Sequence, residues 1–448
     1  MMKHSDSKNQ NYVGLGVFSG AGGLDFGLML AGIDISLAID FDQKACETYK
    51  LNHPHTTVWN RDISTITGKE IRQVIGDRPV ILVGGPPCQS WSDFQNEIEG
   101  SQKGIDDKRG QMIYQYLRIA EELQPIAVVF ENVPHMVTNI NHLKEFEKFK
   151  SKLAEKTGLR LDYQVLNAID YGDAQLRERV IMIGTKPNVP NPFQFLQKKK
   201  GHQTLREALR DVPKSEYFHF KKTDKEVMKM IREGQCWKAL PTDIAFSHMQ
   251  SKYRGICLDC NNNFIGFKQC PNCKSYRIKN GYGVTSYLRR LSWDKPSPTI
   301  CAVPTNKTHG LLAHPSEERC LSIRECARLQ GFPDDYQFVG NIFEQQRQIG
   351  NAVSVSKAKA IGSALLQALS SVQQQQPEQP SSYDVNIEAI KYIVNNPNRF
   401  FLSELEKDFI RIAYKRYKDK LEFPQKYSVY FKEIILKLSS FKTKNSAI

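Results

Sequence analysis

The chain has 448 residues, of which 40% are hydrophobic and 25% charged, a composition typical of a folded protein with room for two or three domains. It contains no apolar run of about 18 residues, and its first ten residues are polar, so we expect neither a membrane-spanning helix nor a signal peptide, and a cytosolic location. The formal net charge is +14, and residues 186–300 hold 22 Lys and Arg against 9 Asp and Glu, a net of +13. This local excess indicates a polyanionic partner, although a solvated basic surface would give the same count.

The first predicted elements are a strand, a glycine-rich turn and a helix. Residues 12–18 are apolar and β-branched enough for a buried strand, residues 19–23 read Ser-Gly-Ala-Gly-Gly, and Leu24 opens a helix that runs to Ala31. Glycines let the backbone approach a ligand, and the N–H groups at the start of a helix face it. The turn lacks the G-x-G-x-x-G spacing of dinucleotide enzymes and the Walker lysine, so by itself it indicates only nucleotide-like binding.

A second strand over residues 33–39 ends at Asp40 and Phe41. An acidic residue about 20 positions past the glycines is placed to accept hydrogen bonds from ribose hydroxyls, and the neighbouring aromatic ring could stack on a base. The alternative for Asp40 is the N-cap of the next helix. Asp62 and Ile63 follow a third short strand and could supply polar and apolar contacts to an adenine.

The fourth predicted strand, residues 79–83, leads into Gly84-Gly85-Pro86-Pro87-Cys88-Gln89-Ser90. Paired glycines and prolines end the strand in a tight turn, at the sheet edge where ligands bind in open α/β folds. A cysteine presented there on a rigid loop is a candidate nucleophile. A buried structural cysteine is the alternative.

Two further predicted strands carry polar side chains toward the same edge. Residues 127–130 end in Glu131, a carboxylate facing the expected cleft. In a strand that leads into residues 180–183, Gln175, Arg177 and Arg179 would share one face, because strand side chains alternate. Three long donors on one side suit an anionic or oxygen-rich ligand. A surface ladder of salt bridges is the alternative.

Beyond Thr185 the sequence becomes basic, proline-rich and loop-like, which indicates a domain boundary. Within this region lie two C-x-x-C pairs separated by nine residues, formed by Cys257, Cys260, Cys270 and Cys273. Such paired knuckles suit tetrahedral zinc, and four thiolates leave no open coordination position, so we predict a structural ion. A redox dithiol is the alternative.

The last third of the chain adds helices and a linker. Residues 321–330 predict a short serine-capped helix that ends at Gly331, and a final helix extends to about Leu369. The glutamine- and proline-rich residues 371–382 predict a flexible linker. Residues 383–448 predict a helical, basic C-terminal extension.

In this order the segments resemble the DNA cytosine-5 methyltransferase family over roughly residues 13–370. The matching runs are Phe18-Ser-Gly-Ala-Gly-Gly, Gly85-Pro-Pro-Cys-Gln-Ser, Glu131-Asn-Val, Gln175-Leu-Arg-Glu-Arg, Arg324-Glu-Cys-Ala-Arg-Leu-Gln-Gly-Phe-Pro and Gln348-Ile-Gly-Asn-Ala-Val. The resemblance implies an α/β fold: a Rossmann-like S-adenosylmethionine-dependent methyltransferase domain with a smaller target-recognition domain that contains the zinc knuckle. The implied divisions are residues 11–185 for catalysis, 186–345 for target recognition and 346–370 for a helix returning to the catalytic domain.

The resemblance also implies a cofactor site for S-adenosylmethionine. Asp40 would hold the ribose, where the family usually has glutamate, and Phe41 would stack on the adenine. The implied cofactor residues are Phe18, Gly20, Gly22, Leu24, Asp40, Phe41, Asp62, Ile63, Pro86, Asn351 and Val353.

For the reaction, the resemblance implies that the Cys88 thiolate adds to C6 of a flipped-out cytosine and so activates C5. Glu131 would hold the N3 and 4-amino edge, while Arg177 and Arg179 would lie on the O2 side, with Arg179 the better candidate for direct base contact. We expect a monomeric enzyme acting on duplex DNA, the modification enzyme of a restriction–modification system, with an endonuclease that shares its site without a stable complex. An RNA methyltransferase acting on transfer RNA and a non-catalytic DNA-binding relative are the alternatives.

Overall fold

The computed structural model describes residues 12–87, 111–241, 244, 254–265, 269–270, 272–280, 288–305 and 311–375. They belong to one compact unit, Met1–Gln375, whereas the second unit, Gln376–Ile448, lies outside the described residues. Cys88 with the rest of its loop, most of the predicted linker and the C-terminal extension also lie outside them. None of the helices described is long and apolar enough to cross a membrane.

The strands of the described residues are short. They are β1 (Val13–Val17), β2 (Ile35–Asp40), β3 (Thr57–Asn60), β4 (Val80–Gly84), β5 (Ala127–Asn132), β6 (Arg160–Asn167), β7 (Gln175–Leu176), β8 (Glu178–Thr185), β9 (Tyr217–His219), β10 (Arg254–Cys257), β11 (Asn263–Ile265), β12 (Ile278–Asn280), β13 (Ser297–Pro298) and β14 (Arg319–Ser322).

The helices are α1 (Gly23–Ala31), α2 (Gln43–Asn52), α3 (Gly68–Ile75), α4 (Gln111–Leu123), α5 (His135–Thr138), α6 (Ile140–Thr157), α7 (Leu205–Ala208), α8 (Lys222–Met230), α9 (Ile323–Leu329), α10 (Ile342–Asn351) and α11 (Val355–Gln375). α11 continues beyond the predicted end near Leu369, so the predicted start of the linker at residue 371 is wrong. The reason is the helix propensity of glutamine, which lets the glutamine run extend the helix as far as Gln375.

Seven strands form a central sheet in the order β3-β2-β1-β4-β5-β8-β6. β1 to β5 run parallel to one another, whereas β8 is antiparallel to both β5 and β6. The sheet is buried on both faces: α3, α4 and α6 cover one, and α1 and α11 cover the other. This double covering explains the continuous apolar runs in β1 and β4, and it confirms the predicted α/β class.

The mixed strand directions determine where the functional residues meet. β1, β2, β4 and β5 all end at the same edge, and β8 begins there because it runs the opposite way. The segments that follow β1, β2, β4 and β5 are therefore neighbours of the segment that precedes β8, although they come from positions 18 to 179 of the sequence.

A second apolar core lies outside the sheet. It combines side chains from α7, α8, α9, β14 and residues 288–300 and 311–313, and it also includes Ala174 and Val355. The short strands beyond the sheet pair with one another, β9 with β14, and β10 with β11 and β12. Because this core lies within the same compact unit as the sheet, the division at residue 186 into a separate recognition domain remains a prediction.

α1 and α11 touch through small residues. A Cβ atom added to Gly27 would lie 2.3 Å from the Ala358 Cβ and 2.5 Å from the Val355 carbonyl oxygen. Backbone and a Cβ cannot move aside as the end of a long side chain can, so the two helices approach this closely only because residue 27 is glycine.

We therefore predict that Gly27→Ala lowers the free energy of unfolding by about 1–3 kcal/mol, the usual range for overpacking. Chemical denaturation followed by circular dichroism measures this. Lys359→Ala, at an exposed position of α11, is the control and should change stability by less than about 0.5 kcal/mol. A stabilised Gly27→Ala variant, the ordinary result inside a helix, would contradict the close approach.

Candidate active site

The turn between β1 and α1 has an unusual backbone. Phe18, Gly20 and Gly22 have φ angles of 56°, 55° and 90°, in the left-handed region that strains a residue such as phenylalanine. A Cβ atom at Gly20 would meet nothing within 4 Å, so the turn borders open space, and the next residues, Gly23 and Leu24, are buried as α1 begins. We call residues 18–22, which lie in front of the start of α1, the glycine cradle. This open stretch of glycine backbone fits a ligand that approaches main-chain N–H groups.

Asp40 braces this turn. Its Oδ2 accepts a hydrogen bond from the Gly20 amide at 2.7 Å, and its Oδ1 accepts one from the Asp42 amide at 2.8 Å. Burial raises the pKa of the Asp40 carboxyl group, which these two hydrogen bonds partly offset. The alternative role as a helix cap is wrong, because Asp42 caps α2 by accepting from the Ala45 amide.

The side chains next to Asp40 suit a flat, polar ligand. Phe41 is 73% exposed, which is unusual for a phenylalanine ring. Asp62 caps a short 3₁₀ turn, where its Oδ1 accepts from the amide and hydroxyl of Ser64, and the next residue, Ile63, is buried. These positions leave the Phe41 ring as the accessible stacking surface.

The segment after β4 packs tightly against the end of β5. A Cβ atom at Gly85 would lie 2.9 Å from the Glu131 Oε2, so only glycine leaves room for that carboxylate. Pro86 is buried, and its carbonyl oxygen accepts from the Asn132 Nδ2 at 3.2 Å. Sequence reasoning missed Gly85 and Asn132 as framework residues, although both belong to the quoted motifs.

Glu131 forms an ion pair with Arg179. The Arg179 Nε lies 3.2 Å from the Glu131 Oε1, and the two side chains are only 16% and 12% exposed. The attraction between this largely buried carboxylate and guanidinium is strong because water screens their charges poorly. The structure thus brings together Glu131, Arg179 and the Gly85–Pro86 segment that leads toward Cys88.

Gln175, Arg177 and Arg179 are buried or partly buried while Leu176 and Glu178 are exposed, as the predicted shared face requires, but Gln175 and Arg177 bind groups of the protein itself. Gln175 donates to the Leu329 carbonyl at 2.9 Å, and its Oε1 accepts from the Ile300 amide at 2.8 Å. The donors expected to face a ligand are thus engaged by main-chain groups at the point where β7 ends and β8 begins.

Arg177 is 1% exposed and donates to three main-chain carbonyl groups: Nη1 to Ile300 at 2.9 Å, and Nη2 to Gly350 and Ala352 at 2.9 Å each. These are the contacts of a framework residue. Its predicted catalytic role is not tested by them and stays a prediction.

The turn between α10 and α11 completes the edge. A Cβ atom at Gly23 would lie 2.6 Å from the Val353 carbonyl oxygen, so this turn packs directly on the start of α1. Val353 is buried and Asn351 is exposed. Of the two predicted cofactor residues, Val353 therefore lies beside the start of α1, and Asn351 precedes it by two residues.

The four cysteines of the paired knuckles converge. All four sulfur atoms lie within 4.8 Å of one another, and none forms a disulfide. Each knuckle has the same hydrogen bonds: Cys257 and Cys270 each donate from the amide to the carbonyl five residues on and accept from the amide four residues on. Asn261 and Lys274, directly after each pair, both have positive φ angles. Two equivalent turns that each present two sulfurs fit tetrahedral zinc.

A family model for C-5 cytosine-specific DNA methylases matches residues 14–367. The chain belongs to this family. Type II methyltransferase M.Sau96I of Staphylococcus aureus is 35% identical over 366 residues, which cover 81% of this chain and 77% of that protein. Type II methyltransferase M.Eco47II of Escherichia coli is 31% identical over 373 residues, covering 81% of each.

Solved structures share the fold. A DNA modification methyltransferase encoded within an E. coli prophage superposes with a TM-score of 0.55 at 25% identity, over 80% of this chain and 99% of that one. The Dnmt2 methyltransferase of S. pombe reaches a TM-score of 0.52 at 18% identity, over 80% of this chain and 98% of that one, which shows the fold alone. As a C-5 cytosine-specific DNA methylase, the chain is a DNA (cytosine-5-)-methyltransferase of an S-adenosylmethionine-dependent family.

For this methylase we predict that Arg177→Lys lowers the free energy of unfolding by about 3 kcal/mol. The reason is that a lysine ammonium group cannot make the three hydrogen bonds that the planar guanidinium group donates to buried carbonyls. Arg179→Lys, at the less buried ion pair, should lower it by less than about 1 kcal/mol. Thermal and chemical denaturation of both variants measures the difference. An Arg177→Lys variant of unchanged stability that no longer methylates would instead support a direct catalytic role.

Proposed function

We propose that the chain transfers a methyl group from S-adenosylmethionine to C5 of a flipped-out cytosine in a specific duplex DNA sequence, through a covalent adduct at Cys88. The observation that carries the proposal is the Glu131 carboxylate, paired with Arg179 and packed on the Gly85–Pro86 segment just ahead of Cys88. A carboxylate, a guanidinium group and a presented thiol are the groups that addition to a cytosine ring needs.

The residues around the glycine cradle fit the cofactor. Open space at Gly20 and the exposed Phe41 ring match a ligand with a polar amino-acid part and a flat base. Asp40 would accept from the ribose hydroxyls while it holds the turn, and Asp62 and Ile63 would contact the adenine edge. When bound, S-adenosylmethionine supplies an electrophilic methyl group on a positively charged sulfur.

The chain's own residues would activate the base. The Cys88 thiolate adds to C6, which makes C5 electron-rich enough to take the methyl group. Glu131 would hold the N3 and 4-amino edge, which selects cytosine and relieves the charge that develops during addition. Loss of the C5 proton and elimination of Cys88 then restore the aromatic ring. A stacked base is out of reach for these groups, so the cytosine must leave the helix.

The basic residues 186–300 support duplex DNA as the substrate, since a net charge of +13 attracts phosphates. The similarity to the Type II methyltransferases M.Sau96I and M.Eco47II supports the role of a modification enzyme in a restriction–modification system. We also propose that the protein is a monomer in the cytosol. A cognate endonuclease would recognise the same site without forming a stable complex with it.

We predict that the protein methylates cytosine in duplex DNA and that Cys88→Ser lowers turnover at least about 1,000-fold while duplex binding is retained. Cys236→Ser, at a free cysteine of the second core region, is the matched control and should keep full activity. Duplexes with 5-fluorocytosine should trap a covalent complex with the wild type and none with Cys88→Ser, because fluorine cannot leave C5 as the proton does.

The substrate is decided by the same assay with transfer RNA beside duplex DNA, and bisulfite sequencing of DNA from expressing cells gives the recognition site. Methylation of RNA alone would contradict the proposal. So would a Cys88→Ser variant that still turns over.

We further propose that Cys257, Cys260, Cys270 and Cys273 hold one structural zinc ion. Metal analysis of protein purified under reducing, chelator-free conditions should give about one zinc per chain, and Cys257→Ser combined with Cys270→Ser should abolish it. Cys236→Ser should leave the zinc content unchanged. Metal-free wild-type protein that binds duplex DNA normally would contradict this assignment.

A further inference from the structure

Lys357 is an unusual lysine. It lies in the first turn of α11, its side chain is 0% exposed, and its Nζ has no hydrogen-bond partner among the residues that the structure describes. An ammonium group without partners is expensive to bury, and a positive charge at a helix N-terminus opposes the helix dipole. Nothing in the packing of α11 on α1 requires a charged group at this position.

The charges around Lys357 belong mainly to the candidate active site. Glu131 and Asp173 favour its ammonium form, while Arg177 and Arg179 oppose it. Asp173 is already engaged by the Ser354 hydroxyl. Burial is the largest influence and lowers the pKa of Lys357 to about 7, with Glu131 the strongest group acting in the other direction.

Among the residues that the structure describes, Arg179 is the guanidinium partner of Glu131. If Arg179 turns to the O2 side of a flipped cytosine, as the proposed function expects, the poorly exposed Glu131 carboxylate loses that counter-charge. A half-buried carboxylate left without a cation is unstable and mobile. Another positive charge nearby would hold the carboxylate in place, and the buried Lys357 ammonium is the candidate for that charge.

We propose that Lys357 is a positioning residue, which supplies the counter-charge for Glu131 when Arg179 turns to the target base. This inference rests on the proposed function. Lys357 touches neither base nor cofactor; it acts through Glu131.

The proposal has a proton signature. In the resting site, Lys357 loses its proton readily, because Arg179 offsets the charge of Glu131. When Arg179 leaves, the uncompensated carboxylate raises the pKa of Lys357, and the lysine takes up a proton from solvent. The uptake is small at pH 6, where Lys357 is already protonated, and approaches one proton at pH 8, where the resting lysine is mostly neutral.

The test compares Lys357→Met, which keeps the length of the side chain and removes its charge, with Lys359→Met at an exposed position of the same helix. Single-turnover methylation of the duplex site identified by bisulfite sequencing should slow by roughly 10- to 100-fold in Lys357→Met, the range typical for loss of a group that orients a functional side chain. Lys359→Met should stay within about twofold of the wild type. Substrate and cofactor affinities should be unchanged in both.

Proton uptake is measured by titration calorimetry with that duplex and S-adenosylhomocysteine, in buffers of different ionisation enthalpy. The wild type and Lys359→Met should take up about 0.5–1 proton more at pH 8 than at pH 6, and Lys357→Met should lack this difference. We expect Lys357→Met to fold with an equal or higher Tm, since it removes a buried charge. If it does not fold, the wild-type uptake decides, and equal uptake at pH 6 and pH 8 overturns the proposal.

Failure of this inference can be distinguished from failure of the proposed function. A wild-type protein that methylates no duplex contradicts both. An active wild type whose Lys357→Met variant matches it in rate and in proton uptake contradicts the role of Lys357 alone.

Discussion

One guanidinium group joins three parts of the molecule that are far apart in sequence. Arg177 precedes β8 and donates to the carbonyl groups of Ile300, Gly350 and Ala352. Those carbonyls belong to the second core region and to the turn that packs on the start of α1. Because Arg179 lies two residues further along, the position of its ion pair with Glu131 depends on the same anchor. The cofactor side and the base side of the site are therefore fixed to each other through Arg177.

The site concentrates charge where the fold can least easily solvate it. Glu131 and Arg179 are poorly exposed, Asp40 is held by two amide groups, and Lys357 is fully enclosed. Apolar side chains at these positions would give a more stable sheet edge. Buried charges keep their mutual orientation before substrate arrives, and a reaction that builds charge on a cytosine ring benefits from groups that need not reorganise. We read the positions of Asp40, Glu131 and Lys357 as stability given up for preorganisation, while Arg179 is the one side chain that turns to the base in our proposal.

Sequence reasoning succeeded where a local pattern determines the local structure. The continuous apolar strands, the glycine turn and the serine cap at Ser322 with its Glu325 partner all follow from short-range chemistry, and so do the cysteine knuckles. It failed to foresee that Gln175 and Arg177 donate to main-chain carbonyls of segments distant in sequence, because tertiary packing supplies those partners. Lys357 gave no signal, because a lysine in a helix reads as a surface residue until tertiary packing covers it. The position of Cys88 rests on its motif, since it lies outside the described residues.

The central sheet and the region around the cysteine knuckles are held rigid in different ways. The catalytic half buries a seven-stranded sheet between helices, and hydrophobic packing alone can hold its edge in place. Around the knuckles, by contrast, β10, β11 and β12 have three or four residues each, too few to build a core of their own. Four converging thiolates offer a substitute, because bonds to one metal ion fix two turns without any apolar volume. A metal-held ribbon can thus carry polar and basic side chains on nearly all of its surface. Such a surface suits the contact with duplex DNA that we propose for residues 186–300.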